Sequence, residues 1–176
     1  MQTGLRHWLI AGAMGIGFAA FRAPAAGTIE EASGDACKLL TAAQVTKVLG
    51  VPVDDGTYSL PGHPQFCVWR EHGKPQMSAQ NVQVNFLTAR QFDAPKTGRF
   101  MKGAESGLGD EAYWAYTPGF GFTLSVRKGG TAFRVQSRPI ADGMTRSADT
   151  AEDKAKWDEK TKTVERAIAV EALRNI

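Results

Sequence analysis

Residues 121–138, GFTLSVRKGGTAFRVQSR, decide the fold class of this sequence. Apolar and polar side chains alternate through both halves, and Gly129-Gly130 between them suits a two-residue β-hairpin connection. Such a connection places Val126 opposite Phe133 on one face of the hairpin and Arg134 on the other face. One face is therefore apolar and the other polar, which is typical of an antiparallel sheet that is covered on one side only.

The rest of the chain extends this hairpin into an α+β domain. Alternating apolar residues predict three more strands, at 66–70, 81–87 and 111–116, and a short edge strand is a further candidate at 57–60. Residues 96–109 are polar and rich in glycine, so we expect a long loop there. The sequence therefore predicts one antiparallel sheet of about five strands.

Two helices are expected to pack on one face of this sheet. Thr41 and Gln44 form a capping box at the start of a short helix, and Gly50 is suited to its C-terminal cap. A long C-terminal helix begins near Asp149. Apolar and small residues recur in it at spacings of three and four, at Trp157, Thr161, Val164, Ile168 and Ala172. Its acidic and basic residues are expected to form a solvated face.

The N-terminus is typical of an export signal. Arg6 precedes a mostly apolar run of about 14 residues, which is short for a membrane span of roughly 20 residues. Ala23-Pro24-Ala25 supplies a small-x-small cleavage site. An uncleaved N-terminal anchor is the alternative, and Arg22 beside the cleavage site favours it. We expect a periplasmic or secreted protein organised as a signal peptide 1–25, a flexible leader 26–36 and a single domain 37–176.

The charge of the chain limits the classes of partner that the sequence predicts. The formal net charge is +3, from 21 basic and 18 acidic residues. The signal carries two of the basic residues and no acidic one, so the remaining chain has a net charge of +1. Its basic residues are scattered and form no stripe, which excludes nucleic acid as an expected partner.

The two cysteines, Cys37 and Cys67, lie outside the signal, and export favours a disulfide between them. A redox thiol is less favoured because no CxxC spacing is present.

No sequence motif predicts a catalytic, cofactor-binding or metal-binding residue. Residues 107–112, GLGDEA, match a dinucleotide fingerprint, but a strand rather than a helix follows them. His63 and His72 lack metal-ligand spacing. Asp110 and Glu111 are adjacent, so on a strand they point to opposite faces. We therefore expect no enzyme and no cofactor. An enzyme that uses Asp110, Glu111 or His63 brought together by folding stays open as an alternative.

A concentration of aromatic residues near the hairpin is a candidate binding surface. Such rings can serve either as core residues or as a platform for a ligand. The expected partner is a protein, peptide or glycan of the cell envelope, with no stable membrane span after signal cleavage. The polar face of the hairpin is the second place to look. The candidate residues are Tyr113, Trp114, Tyr116, Phe120, Arg127 and Arg134.

Several short motifs occur in a fixed order along the chain: CKLLT at 37–41, LG at 49–50, CVW at 67–69, GLGDEAY at 107–113 and VRKG at 126–129. In this combination the chain resembles a family of small exported bacterial domains of unknown function, many of them lipoproteins. The resemblance implies an extracytoplasmic domain with a Cys37–Cys67 bridge and no assigned catalytic residues. This chain lacks the lipid-attachment cysteine of those lipoproteins, so membrane anchoring is not carried over.

The first helix alone resembles a second group. Leu40-Thr41-x-x-Gln44-Val45 followed by LG at 49–50 is similar to small outer-membrane assembly lipoproteins and related inhibitor domains. That resemblance implies an envelope-assembly or inhibitor-like interaction module, which is the alternative to a ligand-binding domain.

Overall fold

The structure of this chain is a computed structural model that describes Ala32 and residues 34–117, 121–139 and 150–176. The predicted signal peptide lies outside these described residues. The strands are β1 (Thr57–Tyr58), β2 (Phe66–Arg70), β3 (Asn81–Leu87), β4 (Met101–Glu105), β5 (Glu111–Thr117), β6 (Gly121–Lys128) and β7 (Thr131–Arg138). The helices are α1 (Ala42–Leu49), α2 (Ala89–Asp93) and α3 (Ala151–Leu173), with short 3₁₀ turns at Ala36–Lys38 and Ala94–Thr97.

The fold confirms an α+β domain with one antiparallel sheet, but the sheet has seven strands and not about five. Their order is β1-β2-β3-β7-β6-β5-β4, and all neighbouring pairs are antiparallel. The unexpected strand is β4, which lies within the predicted loop 96–109 and forms one edge of the sheet. Its side chains are only half-buried or exposed. An edge strand of this kind has no apolar face, so the sequence carries no strand pattern for it.

The central hairpin has the predicted register. Val126 pairs with Phe133, and neither side chain is exposed to solvent. Ser125 pairs with Arg134 on the opposite face. Gly129 adopts the left-handed conformation that the turn requires, with φ of 57°. The apolar face of the sheet is thereby fixed toward the helices.

Helices α1 and α3 both pack on this apolar face. The Thr41 capping box forms as predicted, because the Gln44 amide N–H donates to Thr41 Oγ1 at 3.2 Å and the Thr41 N–H donates to Gln44 Oε1 at 2.9 Å. Gly50 ends α1 with φ of 75°. The resulting core is formed by apolar residues of the sheet, α1 and α3, among them Val45, Trp69, Leu124, Val126, Phe133, Val135, Val164 and Ile168.

The Cys37–Cys67 disulfide is present and joins the N-terminal 3₁₀ turn to β2. Ala36 is fully buried in the core, and its N–H donates to the Pro64 carbonyl at 2.8 Å. Ala36, next to the disulfide, therefore packs in the core of the domain. None of the helices within the described ranges is both long and apolar enough to cross a membrane.

Candidate functional site

The sheet face turned away from α1 and α3, called the open face below, is covered at one end by α2, and among the described residues no other helix lies on it. Helix α2 begins with its own capping box, in which the Gln91 N–H donates to Thr88 Oγ1 at 3.1 Å. This cap directs the helix across the open face, where Phe92 meets Tyr113 with ring centroids 5.2 Å apart. The Tyr113 hydroxyl donates to the Phe92 carbonyl at 2.6 Å. A small second core thus seals this end of the open face.

An ion-pair network closes the outer side of that second core. The Lys96 ammonium lies 2.6 Å from Asp93 Oδ1 and 2.5 Å from Glu111 Oε1, and the Arg127 guanidinium also pairs with Glu111. The hydrogen bond from Lys96 lowers the pKa of Asp93 below its ordinary value. Lys96 and Arg127 both lie over the Phe92 ring, at 4.3 Å and 4.8 Å from its centroid. These charges hold α2 in place and neutralise one another.

Next to α2 the open face carries a groove of about 300 Å³. The groove, called the Arg134 groove below, runs between strands of the sheet and the segment that follows α2. Its lining contains two amides, a hydroxyl, a guanidinium and an aromatic ring but no carboxylate. The lining residues are Asn85, Pro95, Phe100, Ala115, Thr123, Arg134 and Gln136.

Among the described residues, Arg134 is the one charged residue of this lining. Its side chain is half-buried, and its Nε donates to Ser125 Oγ at 3.3 Å. Ser125 is fully buried, so this contact fixes the base of the guanidinium. No carboxylate among the described residues lies within ion-pair distance of Arg134. A half-buried guanidinium whose one partner among the described residues is neutral is an available binding group for an anion.

A buried carboxyl lies behind the groove, on the helix side of the sheet. The register between β6 and β7 ends at Leu124 and Val135, although both strands continue. The side chain of Glu165, on α3, is fully buried at this point. It accepts a hydrogen bond from the backbone of β7, because the Ser137 N–H donates to Glu165 Oε1 at 2.8 Å. Burial raises the pKa of Glu165 well above its ordinary value, and the hydrogen bonds from Ser137 and Leu124 offset only part of that rise. Burial therefore favours the protonated form of the Glu165 carboxyl, which lies between β6 and β7.

The prediction that the acids of the last helix lie on a solvated face is wrong for Glu165. Glu165 follows Thr161 by four residues and precedes Ile168 by three, so it lies on the same stripe as the predicted core positions. The Glu165 Oε2 and Thr161 Oγ1 atoms are both buried without a hydrogen-bond partner among the described residues. The helical spacing was therefore the signal for a buried acid.

The aromatic candidates do not form one surface. Tyr113 lies in the second core on the open face, with 1% of its surface exposed. Trp114 and Tyr116 lie on the helix face, where Trp114 Nε1 donates to Glu105 Oε2 at 2.7 Å and Tyr116 contacts the Phe122 ring at 5.1 Å. Phe120 lies outside the described residues. The described aromatic candidates thus serve packing.

The two basic candidates differ in their surroundings. Arg127 is engaged with Glu111 and Asp93 in the network beside α2. Among the five candidate residues that the structure describes, Arg134 is the one that lines the groove. Sequence reasoning missed the other groove residues, because Asn85, Phe100 and Gln136 come from distant parts of the chain and share no spacing.

Asp110, Glu111 and His63, the residues considered for an enzyme, each contact different residues. Asp110 Oδ2 accepts the Gly129 N–H at 2.6 Å, Glu111 belongs to the network with Lys96, and His63 contacts Gln65 at 3.3 Å. Across the described ranges, no group of three or more His, Cys, Asp or Glu residues is arranged to hold a metal ion. Residues 107–110 form bends that lead into β5 at Glu111, and Gly109 has φ of 59°.

No protein-family model, no curated protein and no solved structure matches this chain. The case for its function therefore rests on the site itself.

Proposed function

We propose that this chain is an exported, non-catalytic binding domain whose ligand occupies the Arg134 groove. The observation that carries the proposal is the half-buried Arg134 guanidinium, which contacts one neutral partner within the described part of the chain and faces a concave, polar surface. Desolvating a guanidinium without a counter-charge costs free energy, and a ligand anion would recover it. Binding sites typically combine such a concave shape with a few convergent polar groups.

Export is supported by two independent features. The N-terminal 25 residues have the order of a signal peptide, with an early arginine, an apolar run and a small-residue cleavage site. The Cys37–Cys67 disulfide suits an oxidising compartment. The resemblance to small exported bacterial domains agrees with both features and remains an expectation.

A non-catalytic role is supported by how the acids near the hairpin are used. Asp110 and Glu111, the carboxylates named for general acid–base chemistry, each make structural contacts to the hairpin or to α2. General acid–base catalysis needs a group that is within reach of a substrate proton and poised to titrate. These two carboxylates instead hold the fold together.

The test is a binding screen of the purified chain against saccharides and peptides, followed by Arg134→Ala. We expect a ligand whose affinity falls at least tenfold in Arg134→Ala and is unchanged in Arg174→Ala. Arg174 is a matched control because it is an exposed arginine at the end of α3, away from the open face. A ligand that binds Arg134→Ala as tightly as the wild type would refute the groove as the site. One dominant envelope protein captured equally by both variants would favour the interaction module.

A further inference from the structure

We infer that the Arg134 groove recognises a carboxylate-bearing saccharide. The inference rests on the proposed function and adds the chemical class of the ligand. Three properties of the lining lead to it: an anchored guanidinium, a second arginine at the rim, and amide and aromatic groups suited to a sugar ring.

The anchored guanidinium selects a carboxylate. The contact with Ser125 uses only Nε of Arg134, so its two Nη atoms have no partner among the residues that the structure describes. Two parallel N–H donors in one plane match the two oxygens of a carboxylate. Because the serine is buried, the fork is held in position before the ligand arrives, which lowers the entropic cost of binding.

A second arginine adds positive potential at the rim. Arg99 lies over the Phe100 ring at 5.1 Å from its centroid, and Phe100 lines the groove. Asp93 and Glu111, the acids of the ion-pair network beside α2, are already paired with Lys96. The groove therefore presents positive charge that no groove-lining carboxylate offsets, which favours an anion.

The rest of the lining suits hydroxyl groups on a ring. Asn85 and Gln136 each supply an amide that can donate and accept, and Thr123 supplies a hydroxyl. Gln83 donates to Asn85 Oδ1 at 3.0 Å, which orients the Asn85 amide so that its N–H donors have no partner within the described ranges. Phe100, with 37% of its surface exposed, offers a flat wall for the apolar face of a sugar. An aliphatic ligand would leave these amides without partners.

The experiment compares matched acidic and neutral sugars on the full purified chain. Isothermal titration uses the disaccharides of glucuronic, galacturonic and mannuronic acid, the corresponding neutral disaccharides, and a tetrapeptide of aspartate and glutamate. We expect at least one acidic disaccharide to bind at least tenfold more tightly than its neutral counterpart. Arg134→Ala should remove that preference, and Arg134→Lys should restore only part of it because an ammonium lacks the planar fork.

The outcomes separate the ligand class from the proposed function. If the peptide or a neutral sugar binds best, and Arg134→Ala weakens it, the saccharide-acid class is wrong and the groove is still a binding site. If no acidic disaccharide binds and Arg134→Ala changes no titration, both are wrong. Asn85→Ala is the second variant: it should weaken acidic and neutral sugars alike, and an unchanged affinity would overturn the role of the amides.

Discussion

Replacing Glu165 by glutamine should make the stability of the domain less dependent on pH. The carboxyl of Glu165 is fully buried between β6 and β7, where burial raises its pKa well above 4.5. Glutamine keeps an acceptor oxygen for the Ser137 N–H and the same shape, but it does not titrate. The variant therefore removes one proton from the folding equilibrium while retaining the main hydrogen bond.

The sign of the effect follows from the direction of the pKa shift. The folded state holds a proton on Glu165 that the unfolded chain releases above its ordinary pKa of about 4.5. The stability that this proton confers is complete below that value and is lost as the pH rises toward the raised folded pKa. The loss amounts to at most about 1.4 kcal/mol per pH unit for one proton. Between pH 4.5 and 7.5, Glu165→Gln should therefore gain stability relative to the wild type.

The assay is urea unfolding of both proteins at pH 4.5, 6.0 and 7.5, analysed with a common m-value. Carboxyl groups with lowered pKa values, such as Asp93 and Glu105, make both proteins less stable as the pH falls. Because both proteins contain them, their effect cancels in the difference between the two free energies of unfolding. Glu159→Gln is the control, because Glu159 is exposed on the same helix. A difference between wild type and Glu165→Gln that stays constant over this pH range would refute a buried neutral acid.

Three further predictions concern the frame around the groove. Phe133→Ala should lower the free energy of unfolding by about 3–5 kcal/mol because it opens a cavity in the core. Arg134→Ala should lower it by less than about 1 kcal/mol. Equal losses of the two variants in thermal unfolding would mean that the face assignment is wrong. Cys37→Ser should cost about 2–5 kcal/mol, and reductant should destabilise the wild type but not the variant; two reactive thiols in the native, non-reduced chain would reject the bridge. Gly109→Ala should destabilise by at least about 1 kcal/mol more than Gly130→Ala in urea unfolding, because a Cβ at Gly109 would lie 2.3 Å from a backbone oxygen, whereas one at Gly130 meets open space; equal losses would contradict the turn geometry.

Local patterns were enough to predict the hairpin, the first helix and the face that the helices cover. Alternation fixes the face of Phe133 and Arg134 because the side-chain period of a strand is two. The Thr41 capping box fixes the start of α1 through contacts only three residues apart. Both features depend on neighbours in the sequence, so the sequence alone shows them.

The missed features depend on distant contacts. β4 becomes a strand because β5 supplies its hydrogen-bond partners, since its own residues have no apolar face. The groove forms only when α2 crosses the open face and brings Phe100 near Asn85 and Gln136. Such a site has no spacing to detect. Arg134, the charged residue of the lining, could be predicted from the sequence because the hairpin register alone places it on the polar face.

The most direct test of the central claim is to map ligand binding by NMR chemical shifts of the full chain. The probe is whichever acidic disaccharide binds most tightly in the titration. We expect shift changes concentrated at the backbone amides of Asn85, Thr123, Arg134 and Gln136, with saturation at the affinity measured by titration. Shift changes concentrated on α1 and α3, or none at the groove at saturating ligand, would contradict it.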